Sequence, residues 1–149
     1  MEKQIIPARD KSIFKVPFQS CPVQATLGSL GKKWALIILR DIAIYRIRRF
    51  NDILRANPTL NRRTLSMRLK ELSDEGLIEI SEKGTNFSKW ELTHKGQDVL
   101  PILMAVLNFG IKWHADQVFK DKRSRALNEI FEGDYIQSIL GSLVPDELE

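Results

Sequence analysis

The stretch that most constrains this chain runs from Asn61 to Gly76, NRRTLSMRLKELSDEG. It reads as one amphipathic helix with both ends marked. Asn61 is a strong N-cap, because its side-chain oxygen can accept from the free N–H groups of the first turn. Gly76 suits the position just past the end, where a left-handed backbone carries no Cβ penalty. Leu65, Leu69 and Leu72 recur at i, i+4 and i+7 and share one face. The opposite face carries Arg63, Ser66, Met67, Lys70 and Asp74, and Arg62 and Arg68 flank the apolar stripe. The first half holds arginines and no acid, and Glu71 and Asp74 enter only in the last two turns. A helix N-terminus favours acids, so these cations oppose the macrodipole. A polyanion outside the helix, with DNA phosphate the obvious candidate, would remove the conflict. On this stretch alone a solvated charged face explains the pattern equally well.

The residues just after the helix favour the nucleic-acid reading. Leu77 to Glu82 is β-branched and apolar enough for a strand, Lys83 to Asn86 supplies turn residues, and Ser88 to Thr93 alternates with Trp90 and Leu92 on one side. A helix succeeded by a hairpin with a basic tip (Lys83, Lys89) is the order of a winged helix-turn-helix. The expected fold class is mainly α with a small β-hairpin, a winged helix-turn-helix domain joined to a long dimerisation helix. The chain then divides into three regions: an N-terminal arm at 1–20, a DNA-binding domain at 21–93 and a C-terminal helical dimerisation region at 94–149.

Charge supports this division. The net charge is +4, and the segment from Lys32 to Lys95 holds fourteen Lys and Arg against eight Asp and Glu. The basic excess therefore sits in the expected DNA-binding module, which bears on partners rather than fold. A single cysteine excludes an intrachain disulfide and fits a reducing interior. No secretory segment and no run of about 18 apolar residues is present, so a soluble cytoplasmic protein without a membrane partner is expected.

In chain order, residues 1–20 contain short apolar pieces and prolines and read as an extended arm or a loose tail. Pro22 opens the first helix at a position where its missing N–H costs nothing. Cys21 then falls at the N-cap, where free N–H groups favour a thiolate. That makes Cys21 either a thiol sensor or a plain cap with an inert sulfur. Lys33 to Ile44 is apolar nearly all round and reads as a buried central helix. Tyr45 to Arg49 reads as a short strand pairing with the wing, with Arg48 and Arg49 facing either phosphate or solvent. Phe50 to Ala56 is the next helix, and Asn57 to Leu60 is the turn before the Asn61 helix. Thr93 caps a long helix over about His94 to Val118, which Pro101 should bend near its start. Its apolar residues, among them Leu103, Val106, Leu107 and Ile111, cover more than one face. A homodimer interface accounts for the surplus, since such interfaces resemble a core cut in half. Lys120 to Glu149 reads as one or two short helices broken at Gly133.

The segment Cys21-Pro22, Gly31-Lys32-Lys33-Trp34, Leu39-Arg40, Arg49-Phe50-Asn51-Asp52-Ile53-Leu54, Leu65 to Leu72, Glu75-Gly76-Leu77-Ile78 and Leu92-Thr93-His94-Lys95-Gly96 resembles the HxlR-type transcriptional regulators, winged-helix relatives of the MarR group. The resemblance spans about Cys21 to Gln117. Its hairpin departs from the family, whose tip commonly contains proline where this chain has Lys83 to Ser88. The resemblance implies double-stranded DNA as partner and a homodimer built from the first and last long helices. Some members of the family respond to oxidants or electrophiles through a cysteine at the place of Cys21, so a small-molecule or redox effector is implied as well.

The candidate DNA contacts are therefore Arg62, Arg63, Ser66, Met67 and Lys70 on the helix, Arg48 and Arg49 ahead of it, and Lys83 and Lys89 on the wing. An enzyme needs a nucleophile, base and orienter, or a metal cluster. His94 and His114 are twenty residues apart and in no motif, and no Walker, GxGxxG, HExxH or CxxC pattern is present. Neither catalysis, metal nor cofactor is expected. The competing reading is a winged-helix protein-interaction module that reads no DNA. The bare arginines argue against it, since a protein-binding face would favour aromatics.

Overall fold

The computed structural model describes residues 15–140. Most of the expected N-terminal arm, and the chain beyond residue 140, lie outside the described residues. The chain forms two compact units, Met1–Lys32 and Lys33–Glu149. The first contains α1 (Pro22–Leu30), with Pro22 in its first turn and Cys21 at its N-cap. Val23 and Leu27 on α1 are exposed.

The second unit is assembled around α2 (Ala35–Ala43), whose Ile38, Leu39 and Ile42 are fully buried. This helix is shorter than expected. Trp34 adopts a left-handed backbone at its N-cap, with φ 79, so Lys33 and Trp34 stand outside it. The next helix is α3 (Phe50–Ala56), and Leu60 plugs the turn beyond it at 5% exposure. That turn is pinned by a buried polar cluster. Asn57 Nδ2 donates to Asp41 Oδ2 at 2.6 Å and to the Ile53 carbonyl at 2.9 Å. Arg40 Nη2 donates to Asp41 Oδ1 at 2.7 Å. The carboxylate is thus buried with partners on both oxygens, the condition under which a buried charge is tolerated.

The Asn61 helix is α4 (Arg62–Asp74), and its Leu65, Leu69 and Leu72 face inward. It leads into β1 (Ile78–Lys83), which pairs antiparallel with β2 (Ser88–Leu92), with an irregularity between Ile80 and Glu82. The expected strand at Tyr45 to Arg49 does not form. Arg46 takes a left-handed backbone at φ 59, which interrupts the extended run. A bridge between Arg49 and Lys89, and a 2.9 Å bond from the Trp90 N–H to the Arg48 carbonyl, attach this segment to the wing without a continuous ladder.

The expected long C-terminal helix is three pieces, α5 (His94–Gln97), α6 (Leu100–Trp113) and α7 (Ala115–Val118). Pro101 does more than bend the helix. It has no N–H to continue α5, so α5 closes in tight i→i−3 bonds from Asp98 and Val99 to Lys95 and Gly96, and α6 restarts with Pro101 in its first turn. The chain ends its described part in a short 3₁₀ turn at Leu127–Glu129 and α8 (Gly133–Leu140), so Gly133 opens a helix, as expected of a break there.

The wing and α5 are spliced to the end of α4. Thr93 Oγ1 accepts from the Gly96 N–H at 3.0 Å and donates to the Gly76 carbonyl. Lys95 Nζ donates to the Glu75 carbonyl at 2.7 Å. Gly96 lies so close that a Cβ there would stand 2.0 Å from the Leu77 carbonyl oxygen, which excludes any side chain.

Candidate nucleic-acid interface

The ends of α4 form as the local chemistry dictates. Asn61 Oδ1 accepts from the Thr64 N–H at 2.8 Å. At the other end Gly76 is left-handed at φ 74, and the Leu77 and Gly76 N–H groups return to the Leu72 and Ser73 carbonyls. That is a complete Schellman cap, which stops the helix and aims the chain into β1.

Four of the predicted base-reading residues share one exposed face: Arg63, Ser66, Met67 and Lys70. Arg63 makes no hydrogen bond or ion pair among the described residues. Lys70 pairs with Asp74 at 2.8 Å, and this hydrogen bond raises the Lys70 pKa. Being fully solvated, that pair is readily exchanged for another anion. Arg62 lies beside this face, flanking the apolar stripe as expected. Its Nη2 donates to Asn51 Oδ1 at 3.2 Å and its guanidinium lies 5.7 Å from the Phe50 ring, so it belongs to the seam between α3 and α4.

Arg68 is structural. Its Nε donates to the Lys33 carbonyl at 2.9 Å and its Nη1 pairs with Glu71, so one of the three arginines crowding the first half of α4 is turned to the protein itself. Nothing in the sequence pattern signals this, because the partner carbonyl is thirty-five residues away.

The wing's basic residues divide as well. Lys83 is exposed with no partner among the described residues, whereas Lys89 pairs with Glu82 at 2.9 Å. The hydrogen bond from Lys89 holds the Glu82 carboxyl below its ordinary pKa. Arg49 stacks on Phe87 with its guanidinium 4.1 Å from the ring centroid. The Phe87 ring in turn occupies the space where a Cβ of Gly84 would lie, at 2.2 Å. Sequence reasoning misses Phe87, although an aromatic at a basic hairpin tip is the signal that could have marked it.

Between α4 and the wing lies a groove of about 660 Å³, lined by Arg62, Ser66, Lys70, Lys83 and Asn86 among others. Of the predicted contacts it brings together Arg62, Ser66, Lys70 and Lys83, whereas Arg63, Met67, Arg49 and Lys89 do not line it. Arg48 is not part of it and lines a different cleft with Arg46 and Glu91.

The predicted interface residues of the C-terminal region also separate. Leu103 and Ile111 are buried inside the protomer, at 5% and 4% exposure, and are corrected to core residues. Their spacing with Val99 and Met104 places them on the inner face of α6. Leu107 is half-buried and Val106 is exposed. The apolar outer stripe is instead Ile102, Val106, Phe109 and Trp113. Cys21 is half-buried and its side chain makes no cap hydrogen bond. Among the described residues no group of His, Cys, Asp and Glu could hold a metal, and no helix is long and apolar enough to cross a membrane.

Residues 29–118 match the model of the HxlR-like helix-turn-helix family. The chain is 30% identical over 110 residues to YdeP of Bacillus subtilis, described as an uncharacterized HTH-type transcriptional regulator, a match covering 72% of this chain and 84% of that protein. A crystal structure of "a possible HxlR family transcriptional factor" from Thermoplasma volcanium is 30% identical with a TM-score of 0.51, covering 63% of this chain and 90% of that one. The redox regulator HypR in its oxidized form is 28% identical with a TM-score of 0.52, covering 60% of this chain and 94% of that one.

Proposed function

Because the chain belongs to the HxlR-like helix-turn-helix family, and so is a transcriptional regulator with a helix-turn-helix DNA-binding domain rather than an enzyme, we propose that it binds an inverted-repeat operator as a homodimer. The observation that supports the DNA half is the exposed face of α4 with Arg63, Ser66, Met67 and Lys70, of which Ser66 and Lys70 line the groove beside the wing. A helix of this width enters a major groove, and arginine can hold guanine bidentately. Arg63 serves base reading, while Lys83 and Arg49 neutralise phosphate as the wing tip approaches the minor groove. The homodimer is supported by the outer stripe of α6, where four large apolar side chains recur at helical spacing and face solvent. A two-fold dimer asks for half-sites about 10 bp apart, or a multiple of that.

A gel-shift titration against the DNA upstream of the protein's own gene, with sedimentation of the free protein, tests both parts. The expected result is a micromolar-stable dimer that footprints an inverted repeat. A stable monomer that still shifts the DNA would defeat the symmetric reading, and a dimer indifferent to every sequence would defeat operator reading.

Cys21 offers a second input. The half-buried Cys21 at a helix N-cap, and the redox regulator among the structural neighbours, support a thiol that reports oxidants to the DNA-binding state. With no second cysteine in the chain, oxidation gives a sulfenic acid, a small-thiol adduct or a disulfide between subunits. The last requires the two Cα atoms within about 7 Å.

A further inference from the structure

A second cleft, of about 520 Å³, opens where the end of α2, the Arg46–Arg48 loop, the end of β2, α5 and α8 meet. Its volume falls within the range of small-molecule sites, about 300–1,000 Å³. Ile42, Leu92, Leu100 and Ile139 supply apolar wall, and Tyr135 and Ser138 of α8 add a ring and a hydroxyl. Because α8 lies beyond residues 29–118, this wall is not part of the shared family core.

The charged lining is of both signs: Arg46 and Arg48, Glu91 and Asp98. Among the described residues none of these four side chains makes an ion pair or hydrogen bond, though Arg48 acts on Glu82 at longer range. Arg48 and Glu91 are each half-buried, which withdraws part of their hydration without supplying a partner. Glu91 also stands directly opposite Glu79 across the hairpin, a like-charge pair that weakens a sheet. A cationic group at Glu91 would relieve that repulsion. Arg46 holds its left-handed backbone at the rim of the same cleft, and such outliers persist where the surroundings or a ligand demand them.

We propose that this cleft binds a small amphipathic zwitterion. Its carboxylate meets Arg46 and Arg48, its cationic group meets Glu91 and Asp98, and its apolar body lies against Ile42, Leu100 and Ile139. A purely anionic ligand would face two unpaired carboxylates, and a purely cationic one two unpaired guanidinia. Occupancy is felt at the wing, because the Arg48 carbonyl accepts the Trp90 N–H and the adjacent Arg49 bridges to Lys89. This coupling rests on the DNA-binding reading above, whereas the binding itself does not.

Calorimetry on the full chain with three probes tests it: L-phenylalanine, phenylacetate and phenethylamine, which share an aromatic body and carry both charges, the negative or the positive alone. L-phenylalanine should bind, and each singly charged probe should bind about tenfold more weakly. Ser138→Phe, which fills the cleft from α8, should abolish binding while leaving operator affinity unchanged. Glu91→Gln should remove the preference for L-phenylalanine over phenylacetate, and it decides the matter if Ser138→Phe melts early by circular dichroism. The site is refuted if no probe releases heat at millimolar concentration, if all three bind equally, if binding survives in folded Ser138→Phe, or if the preference survives Glu91→Gln. Operator affinity should shift on saturation with L-phenylalanine, and an unchanged affinity in protein shown to be loaded overturns the coupling. Failure to bind the operator without any probe counts against the regulator reading instead, and calorimetry still decides the cleft.

Discussion

Helices α4 and α6 bury the same kind of stripe, Leu65, Leu69 and Leu72 in one, Leu103, Met104 and Ile111 in the other, yet they turn opposite surfaces to the solvent. The outer face of α4 carries Arg63, Ser66 and Lys70, with Met67 its single large apolar side chain. The outer face of α6 carries Ile102, Val106, Phe109 and Trp113. The inner stripe packs each helix into the fold, and the outer face carries the chemistry available to a partner. A cationic face gains from phosphate through counterion release. An apolar one gains by leaving water, roughly 25 cal/mol for each Å² covered.

The largest effect should come from confusing the two faces of α6. Leu103→Glu places a charge in the core and should leave no folded protomer, since even truncating such a leucine costs about 2–5 kcal/mol of a total of about 5–15. Val106→Glu, three residues on and outward, should keep the melting transition but yield monomers that lose most operator affinity. Sedimentation and thermal melting of the pair separate these outcomes, and a dimeric Val106→Glu would move the interface elsewhere. Next is the outer face of α4. Arg63→Ala should lower the preference for operator over random DNA by about 1–3 kcal/mol. Equal weakening on both DNAs would reduce Arg63 to a phosphate contact. Smaller still is the wing. Lys83→Ala should flatten the slope of log affinity against log salt by about one unit. Lys89→Ala should flatten it less, because Lys89 already serves Glu82, and should raise the Glu82 pKa toward its ordinary value, which NMR titration can follow. The smallest expected change is at Cys21, where diamide should weaken operator binding. Operator binding indifferent to diamide would leave Cys21 a plain cap.

The parts legible in the sequence are those written in local chemistry. Asn61 and Gly76 mark the ends of α4 because a cap is decided within one turn, and the leucine stripe is decided by its period. The hairpin is legible for the same reason. What escapes depends on distant or additive terms. The role of Arg68 depends on a carbonyl at Lys33, and that of Lys89 on Glu82 across the hairpin. The division of the last helix depends on α5 closing tightly before Pro101, where a bend and a break look alike in one dimension. Leu103 and Ile111 read as interface residues because apolar content alone does not say which side of α6 faces the core.

The splice at Thr93, Gly76 and Gly96 bears on how much latitude an operator can have. Each base pair added between half-sites turns the second one about 34° around the duplex axis. A regulator whose reading helix hung on a flexible joint could track that rotation by swinging one arm. Here the end of α4 shares its carbonyls with the start of α5, and Gly96 leaves no clearance for sliding. These contacts tie the arm to the segment leading to α6. Sites differing by a single base pair in their spacer should therefore be discriminated as sharply as sites differing in a contacted base.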